Sequence, residues 1–227
     1  MSAWIERPSP NHGPRAAGTA IDVLLIHYTG MDSAEAALDR LCDPAAEVSC
    51  HWLIDRDGTV YRLVDEVHRA WHAGQSFWAG ARDINSRSIG IELVNPGHEL
   101  GYPDFPPAQM AALAELSRGI LARHPIPPHR VLAHSDVAPG RKQDPGEKFD
   151  WAWLAAQGIG LWPALDDHAE SSDLSRIGYE SNDSASVIAF QRHWRPARVD
   201  GVLDAGTRSR IAQVISALSL TAPVLAP

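Results

Sequence analysis

The sequence has few cysteines, no basic tract and no long apolar run, and each absence excludes a class of protein. Two cysteines in 227 residues, Cys42 and Cys50, do not make a disulfide framework, so buried free thiols are expected. Lysine and arginine number 20 against 28 acidic residues, which gives a net charge of −8 and makes a nucleic acid an unexpected partner. No run approaches the ~18 apolar residues of a membrane helix.

The N-terminal residues also lack the apolar stretch of a signal peptide. A cytoplasmic protein is therefore expected, with a periplasmic one as the alternative, and it is expected to act as a monomer. The chain is long enough for one mid-sized domain and a small one.

Apolar patterning predicts an α/β protein with a mixed central β-sheet and helices on both faces, plus a small C-terminal three-helix domain. Residues 7–20 are expected to be an irregular lead-in, and residues 66–87 a long loop that lines a pocket. Strands are predicted over residues 21–27, 51–54, 59–63 and 88–94, and helices over residues 33–41, 107–124 and 150–157. The Asp-Arg-Asp-Gly stretch at 55–58 predicts a hairpin between the second and third of these strands.

Polar residues stand at the ends of the apolar strands. His27 ends the first predicted strand and faces a glycine-containing turn. Glu92 interrupts a buried strand, where a carboxylate is costly unless it is paired or used. With Gly90 on the same face leaving room for a ligand, Glu92 is a candidate general base whose pKa burial would raise. A structural histidine at position 27 and a structural salt bridge at Glu92 are the alternatives.

A second group follows in the stretch from Val131 to Gly146, where an apolar run leads into His134 and a proline- and glycine-rich loop. The loop fixes its backbone and can aim Lys142 and Asp144 back towards His134. Two imidazoles and a carboxylate with one open position are typical of a catalytic zinc (Zn2+) site, in which a water would become acidic.

Three further residues are candidate substrate contacts. His51 begins a predicted strand beside Trp52, although a packing role is about as plausible for it. Trp71 and His72 lie in the aromatic-rich loop that is expected to line the pocket. A helical metal pair of His68 and His72 is disfavoured, because Gly74 argues against a long helix there.

The chain resembles the zinc N-acetylmuramoyl-L-alanine amidases of the type 2 amidase family, relatives of the peptidoglycan recognition proteins. The resemblance covers roughly residues 5–160 and rests on IHYTG at 26–30, SIGIELVN at 88–95 and AHSDVAPGRKQDPG at 133–146. It implies hydrolysis of the amide between N-acetylmuramic (or 1,6-anhydro-N-acetylmuramic) acid and L-alanine of peptidoglycan or muropeptides. It further implies His27, His134 and Asp144 as zinc ligands, Glu92 as general base and Lys142 as the cation facing the oxyanion.

The C-terminal unit resembles a small peptidoglycan-binding module. The match lies at Ala189-Phe190-Gln191 and at Asp200-Gly201 followed by Thr207, and the sequence departs from that module at Asp204. The resulting division is a catalytic domain over 1–162, a linker over 163–172 and a peptidoglycan-binding-like domain over 173–227. About 48 residues bury little core alone, so this unit is expected to lean on the first domain. A purely structural role for it is the alternative to glycan binding.

Other functions stay open on the sequence alone. A non-catalytic receptor for muropeptides would have the same fold and cleft. A zinc D,D-peptidase is a further possibility, but its ligands usually follow one another in the order His-Asp-His, whereas the order here is His-His-Asp. The substrate is either polymeric peptidoglycan or soluble anhydro-muropeptide.

Overall fold

A computed structural model describes residues 4–163 and 169–221 of the chain. The strands are β1 (Ile5–Glu6), β2 (His12–Pro14), β3 (Val23–Tyr28), β4 (Trp52–Ile54), β5 (Val60–Arg62), β6 (His68–Ala70), β7 (Ser88–Leu93) and β8 (Val131–Ala133). The α-helices are α1 (Ala34–Cys42), α2 (Ile84–Arg87), α3 (Pro107–Arg123), α4 (His134–Val137), α5 (Trp151–Ala156), α6 (Ser184–Trp194) and α7 (Ala205–Thr221).

The predicted mixed sheet is confirmed as a six-stranded sheet in the order β1-β5-β4-β7-β3-β8. β4 and β5 form the expected antiparallel hairpin, whereas β3 runs parallel to both β7 and β8. Because parallel strands end at the same edge, the residues that close β3, β7 and β8 come together there. In the register, His27 lies directly beside Glu92.

Alternating side chains of the central strands pack against different layers. Leu24 and Ile26 of β3 share a core with Leu113 of α3 and Leu154 of α5. On the other face, Val23 and Leu25 share a core with α6 and α7, through residues such as Phe190 and Ile211. Helices therefore cover both faces, as predicted, and His27 follows Val23 and Leu25 on the face that the C-terminal helices cover.

The C-terminal unit leans on the sheet, as its small size predicts. Its three predicted helices are a short 3₁₀ helix at Leu174–Arg176 and the α-helices α6 and α7. Residues 164–168 of the predicted linker and residues 222–227 of the predicted last domain lie outside the described residues.

The motif residues of this unit have structural partners. Gln191 Oε1 accepts the backbone N–H groups of Asp200 and Gly201, and its Nε2 donates to Val202 O. Asp204, where the sequence departs from the module, accepts the Thr207 N–H at 2.7 Å and so caps the start of α7. The departure therefore has a local structural reason.

Two expectations for irregular segments are wrong in part. The lead-in contains β2 and the predicted long loop contains β6, and these two strands pair antiparallel with each other. The loop also contains α2, which Asp83 caps by accepting the Ser86 N–H. β2 and β6 are three residues long and have no apolar alternation, so the sequence carried no strand signal for them.

Cys42 and Cys50 are free thiols, and only Cys50 is fully buried. Within 4–163 and 169–221, no helix combines the length and the apolarity that crossing a lipid bilayer requires.

Candidate metal centre

Three side chains from distant parts of the chain meet at the edge where β3, β7 and β8 end. His27 comes from β3, His134 is the first residue of α4 directly after β8, and Asp144 comes from the loop that follows. His27 Nδ1 lies 2.9 Å from His134 Nδ1, and Asp144 Oδ2 lies 3.1 and 3.0 Å from these two atoms. All three residues are buried.

This triangle of donor atoms fits a small tetrahedral cation. Zinc bonds of about 2.0–2.1 Å place ligand atoms about 3.3 Å apart, within a few tenths of an ångström of the triangle. Two nitrogens and one oxygen are a donor set that zinc accepts, and three protein ligands leave the fourth position open. Among the residues that the structure describes, His27, His134 and Asp144 form the one such group of three.

The outer nitrogen of His134 is held by the backbone. His134 Nε2 donates to Ala73 O at 3.1 Å, which leaves the Nδ1 lone pair facing the other two donors. Arg141 Nη2 donates to the same carbonyl at 2.6 Å and to Gln75 O at 2.7 Å. Arg141 therefore fixes the loop that orients His134.

The outer nitrogen of His27 is held by a second histidine. His27 Nε2 lies 3.0 Å from His72 Nδ1, and His72 Nε2 lies 3.3 Å from Ser88 Oγ. Ser88 Oγ in turn donates to Ile84 O at 2.7 Å, so it accepts from His72, and His72 Nδ1 accepts from His27. This chain of bonds also leaves Nδ1 of His27 free to bind a metal.

The space that Gly90 leaves is occupied by His72 rather than being open to a ligand. A Cβ on residue 90 would lie 2.6 Å from His72 Nδ1. The sequence shows that residue 90 is small but not why it must be small, because the packing of His72 depends on how residues 66–87 fold over β7.

Electrostatics favour the protonation states that a metal needs. Burial, and then the neighbouring His134, lower the pKa of His27 to about 4, so its imidazole is neutral at pH 7. Burial alone would raise the pKa of Asp144, but His134 and His27 outweigh it and hold that pKa well below its usual range. The centre thus combines a neutral His27 imidazole with an ionised Asp144 carboxylate.

Glu92 lies beside the triangle on the neighbouring strand. Its Oε2 is buried and has no hydrogen-bond partner. Burial first, and then the charge of Asp144, raise the pKa of Glu92 to about 8, against the opposing effect of Lys142. A carboxyl group with an unpartnered buried oxygen and a near-neutral pKa is suited to carry a proton.

A cleft of about 360 Å³ opens over these groups. Lys142 is partly buried in its wall, together with Glu92. The predicted contacts Trp71 and His72 also line it, although the ring of His72 is engaged with His27. Lining residues that the sequence did not indicate include Tyr28, Met31, Arg40 and His98. Tyr28 ends β3 within the IHYTG motif, Arg40 lies on α1, and Met31 and His98 follow the ends of β3 and β7.

His51 lies elsewhere. It has no exposed surface, its Nδ1 accepts the Gly90 N–H at 2.9 Å, and its Nε2 lies 3.2 Å from His68 O. Burial, and then the charge of Arg15, lower its pKa to about 3. The packing role therefore fits His51, and a substrate contact is not supported. His68 belongs to β6 rather than to a helix, which removes the basis for a helical pair with His72.

Comparisons with known proteins show which family the chain resembles. A family model described as N-acetylmuramoyl-L-alanine amidase matches residues 17–147. The chain is 37% identical to the N-acetylmuramoyl-L-alanine amidase AmiD of Escherichia coli (strain K12), covering 86% of this chain and 82% of that protein. It is 35% identical to the 1,6-anhydro-N-acetylmuramyl-L-alanine amidase AmpD of Citrobacter freundii, covering 66% and 87%.

Solved structures give the same result. AmiD from E. coli, in complex with the substrate anhydro-N-acetylmuramic acid-L-Ala-D-gamma-Glu-L-Lys, superposes with a TM-score of 0.79 at 36% identity, over 89% of this chain and 92% of that chain. AmpDh3 from Pseudomonas aeruginosa, in complex with anhydromuramic pentapeptide, gives 0.80 at 31% identity, over 89% and 95%. Both matches are long enough to extend into the C-terminal unit.

Proposed function

The chain belongs to the N-acetylmuramoyl-L-alanine amidase family, the type 2 amidases, and from this premise we propose that it is a zinc amidase acting on muropeptides. The bond cleaved is the amide between the lactyl group of N-acetylmuramic, or 1,6-anhydro-N-acetylmuramic, acid and L-alanine. The observation that carries the proposal is the triangle of His27, His134 and Asp144, with donor atoms 2.9–3.1 Å apart, beside a carboxyl group with a free oxygen.

Zinc is the proposed metal because the donor set and its spacing fit it. His27 and His134 would bind through Nδ1 and Asp144 through Oδ2. Bound there, zinc supplies Lewis acidity, which makes water a better nucleophile at neutral pH and polarises the carbonyl. The protein holds both imidazoles by their outer nitrogens, so that the ligand atoms stay aimed at the metal.

Glu92 is proposed to carry the proton. As a carboxylate it accepts a proton from the attacking water, and as an acid it returns one to the nitrogen of the departing L-alanine. Its carboxyl group is close to the ligands because β7 pairs with β3 in the register that sets Glu92 beside His27.

Lys142 is proposed to face the negative charge that develops on the carbonyl oxygen. It lies in the wall of the cleft, and its positive charge partly opposes the rise in the pKa of Glu92 that burial and Asp144 cause. A donor aimed at such an oxyanion is typically worth ~3 kcal/mol.

The proposed substrate is a soluble anhydro-muropeptide, since the two relatives with bound ligands carry anhydromuramic peptides. Incubating the protein with anhydro-muropeptide should release free peptide, detectable by mass spectrometry. A chelator should abolish the release and added zinc should restore it. Binding without release, with zinc present, would instead indicate the muropeptide receptor. Parallel digestion of intact sacculi tests whether the polymer is also cleaved.

A further inference from the structure

A buried hydrogen-bond network joins the C-terminal unit to the metal centre, and the proposed chemistry does not use it. Asp136 is fully buried, and its carboxylate accepts from three groups. Tyr179 Oη donates to Oδ1 at 2.5 Å, His193 Nδ1 lies 2.6 Å from Oδ2, and the Ala133 N–H donates to Oδ2 at 2.8 Å. Tyr179 and His193 both belong to the C-terminal unit, His193 in α6.

Asp136 stands in the turn that carries a metal ligand. α4 is four residues long and begins with His134, so Asp136 and His134 share one turn of backbone. The next N–H in that turn, from Ser135, donates to Asp144 O at 3.0 Å. The position of α4 therefore affects the positions of two of the three proposed ligands, His134 and Asp144.

Both side chains that contact Asp136 are themselves packed between aromatic rings or against one. The imidazole of His193 is stacked between the rings of Trp151, at 3.8 Å, and Trp194, at 4.0 Å. The ring of Tyr179 packs edge-on against Trp78 at 4.9 Å. His193 and Tyr179 are at most 2% exposed, so water has little access to replace either donor.

A carboxylate in such a place needs these partners. An ionised group in the interior costs several kcal/mol unless hydrogen bonds or an opposite charge compensate it. Removing the Tyr179 hydroxyl takes the donor from Oδ1, and removing His193 leaves Oδ2 with the Ala133 N–H alone. The turn can regain a second side-chain donor only by moving. That movement would carry His134 with it.

We propose that Tyr179 and His193 are positioning residues for the metal centre, which hold α4, and with it His134, through the carboxylate of Asp136. The inference rests on the proposed function, because it assigns the C-terminal unit a part in the zinc site of the amidase. It makes this unit a component of the catalytic apparatus whether or not it also binds glycan.

The experiment uses the full chain and four variants. Tyr179→Phe and His193→Leu each remove one donor to Asp136, whereas His193→Asn keeps a donor near the place of Nδ1. Phe190→Leu is the matched control, because Phe190 is equally buried in the core of α6 but contributes no hydrogen bond to Asp136. Zinc affinity is measured by competition with a chelator, and the visible spectrum of the cobalt-substituted protein reports ligand geometry.

The expected result is a loss of zinc affinity of about 10-fold in Tyr179→Phe and His193→Leu, with a changed cobalt spectrum and partial recovery in His193→Asn. In these variants kcat should fall more than KM rises, since neither Tyr179 nor His193 lines the cleft. Phe190→Leu should lower the melting temperature yet keep the zinc affinity and spectrum of the wild type.

The proposal would be overturned if Tyr179→Phe had the same zinc affinity and cobalt spectrum as Phe190→Leu and the wild type. If His193→Leu does not fold, Tyr179→Phe alone provides the test. Failure of the proposed function is distinguishable from this, because it would show as a wild-type protein that binds no zinc or releases no peptide.

Discussion

At the scale of single residues, the centre depends on side chains whose protonation is set by their neighbours. Glu92 has one oxygen without a partner, and the charges that shift its pKa are those of Asp144 and Lys142. The imidazoles of His27 and His134 are oriented by hydrogen bonds at Nε2, on the side away from the proposed metal position. Changes at Glu92, Lys142 and Gly90 test these relations separately.

Replacing Glu92 by glutamine should separate metal binding from turnover. The amide keeps the size of the carboxyl group but cannot carry a proton. We expect E92Q to bind zinc like the wild type and to lose about 10²- to 10⁴-fold in kcat. Peptide release and chelator competition measure the two properties, and substantial remaining activity would move the base elsewhere.

Replacing Lys142 by methionine should change both rate and pH dependence. Losing the donor should lower kcat by about 100-fold with little change in KM, which corresponds to ~3 kcal/mol. Glu92 acts as base only when ionised, and Lys142 lowers its pKa, so the acid limb of kcat/KM should move to higher pH in K142M. The pH–rate profile measures this. K148M is the control, because Lys148 donates to Tyr102 O and does not line the cleft. A rise in KM alone would instead make Lys142 a binding residue.

Adding one methyl group at Gly90 should disturb the metal without touching a ligand. The new Cβ would lie 2.6 Å from His72 Nδ1, so His72 must shift and release Nε2 of His27. We expect G90A to lose about 10- to 100-fold in zinc affinity. In G13A the nearest atom lies 4.0 Å from the new Cβ, so that variant should retain wild-type affinity. Equal affinities in both variants would show that His72 does not orient His27.

At the scale of elements, the sequence predicts the long, apolar strands and helices but not the strands of two or three residues. β3, β7 and α3 were predictable because apolar residues recur at the spacing of a buried strand or of an amphipathic helix. β1, β2 and β6 have two or three residues each and exist only through their partners in the sheets. The meeting of His27, His134 and Asp144 was predictable from their place at strand ends and from the family motifs. The bond from His72 to His27 was not, because it depends on a loop closing over Gly90.

On the face of the sheet that α3 covers, the carboxylate of Glu66 links several elements by hydrogen bonds. Glu66 accepts from Trp52 Nε1 of β4, from Arg123 at the end of α3 and from His124. Burial alone would raise the pKa of Glu66, but the hydrogen bonds from Arg123 and His124 outweigh it and lower that pKa.

A lowered folded-state pKa means that Glu66 stabilises the protein above its unfolded-state pKa, near 4.3, and that this contribution is lost as the pH falls further. We expect E66Q to lose about 1.5–3 kcal/mol of unfolding free energy at pH 7. The difference from the wild type should shrink as the pH is lowered from 5 to 3. Urea titrations at several pH values measure it. The exposed Glu35 gives the control variant E35Q, and a difference independent of pH would argue against ionised Glu66 as the cause.

At the scale of the whole molecule, the C-terminal unit and the sheet share one core. Val23 and Leu25 of β3 lie in the same cluster as Phe190 and Ile211. The sequence suggested two domains joined by a linker, and composition alone cannot show that the second covers a face of the first.

This shared core predicts one cooperative unfolding transition for the full chain. Calorimetric and van't Hoff enthalpies should agree, and near-ultraviolet and far-ultraviolet circular dichroism should give the same midpoint. I211A should lower that single midpoint by removing buried methyl groups, at a cost of about 2–5 kcal/mol. Two separate transitions, with only one affected by I211A, would show independent domains.

The register of β3 against β7 has a consequence for folding itself. A slip of one residue between two strands turns every side chain of the slipped strand to the opposite face. His27 and Glu92 would then point away from each other, and a misregistered sheet could gather neither the metal nor the base. Metal uptake during refolding should therefore proceed no faster than the pairing of these two strands, which makes a bound cation a reporter of correctly assembled chains.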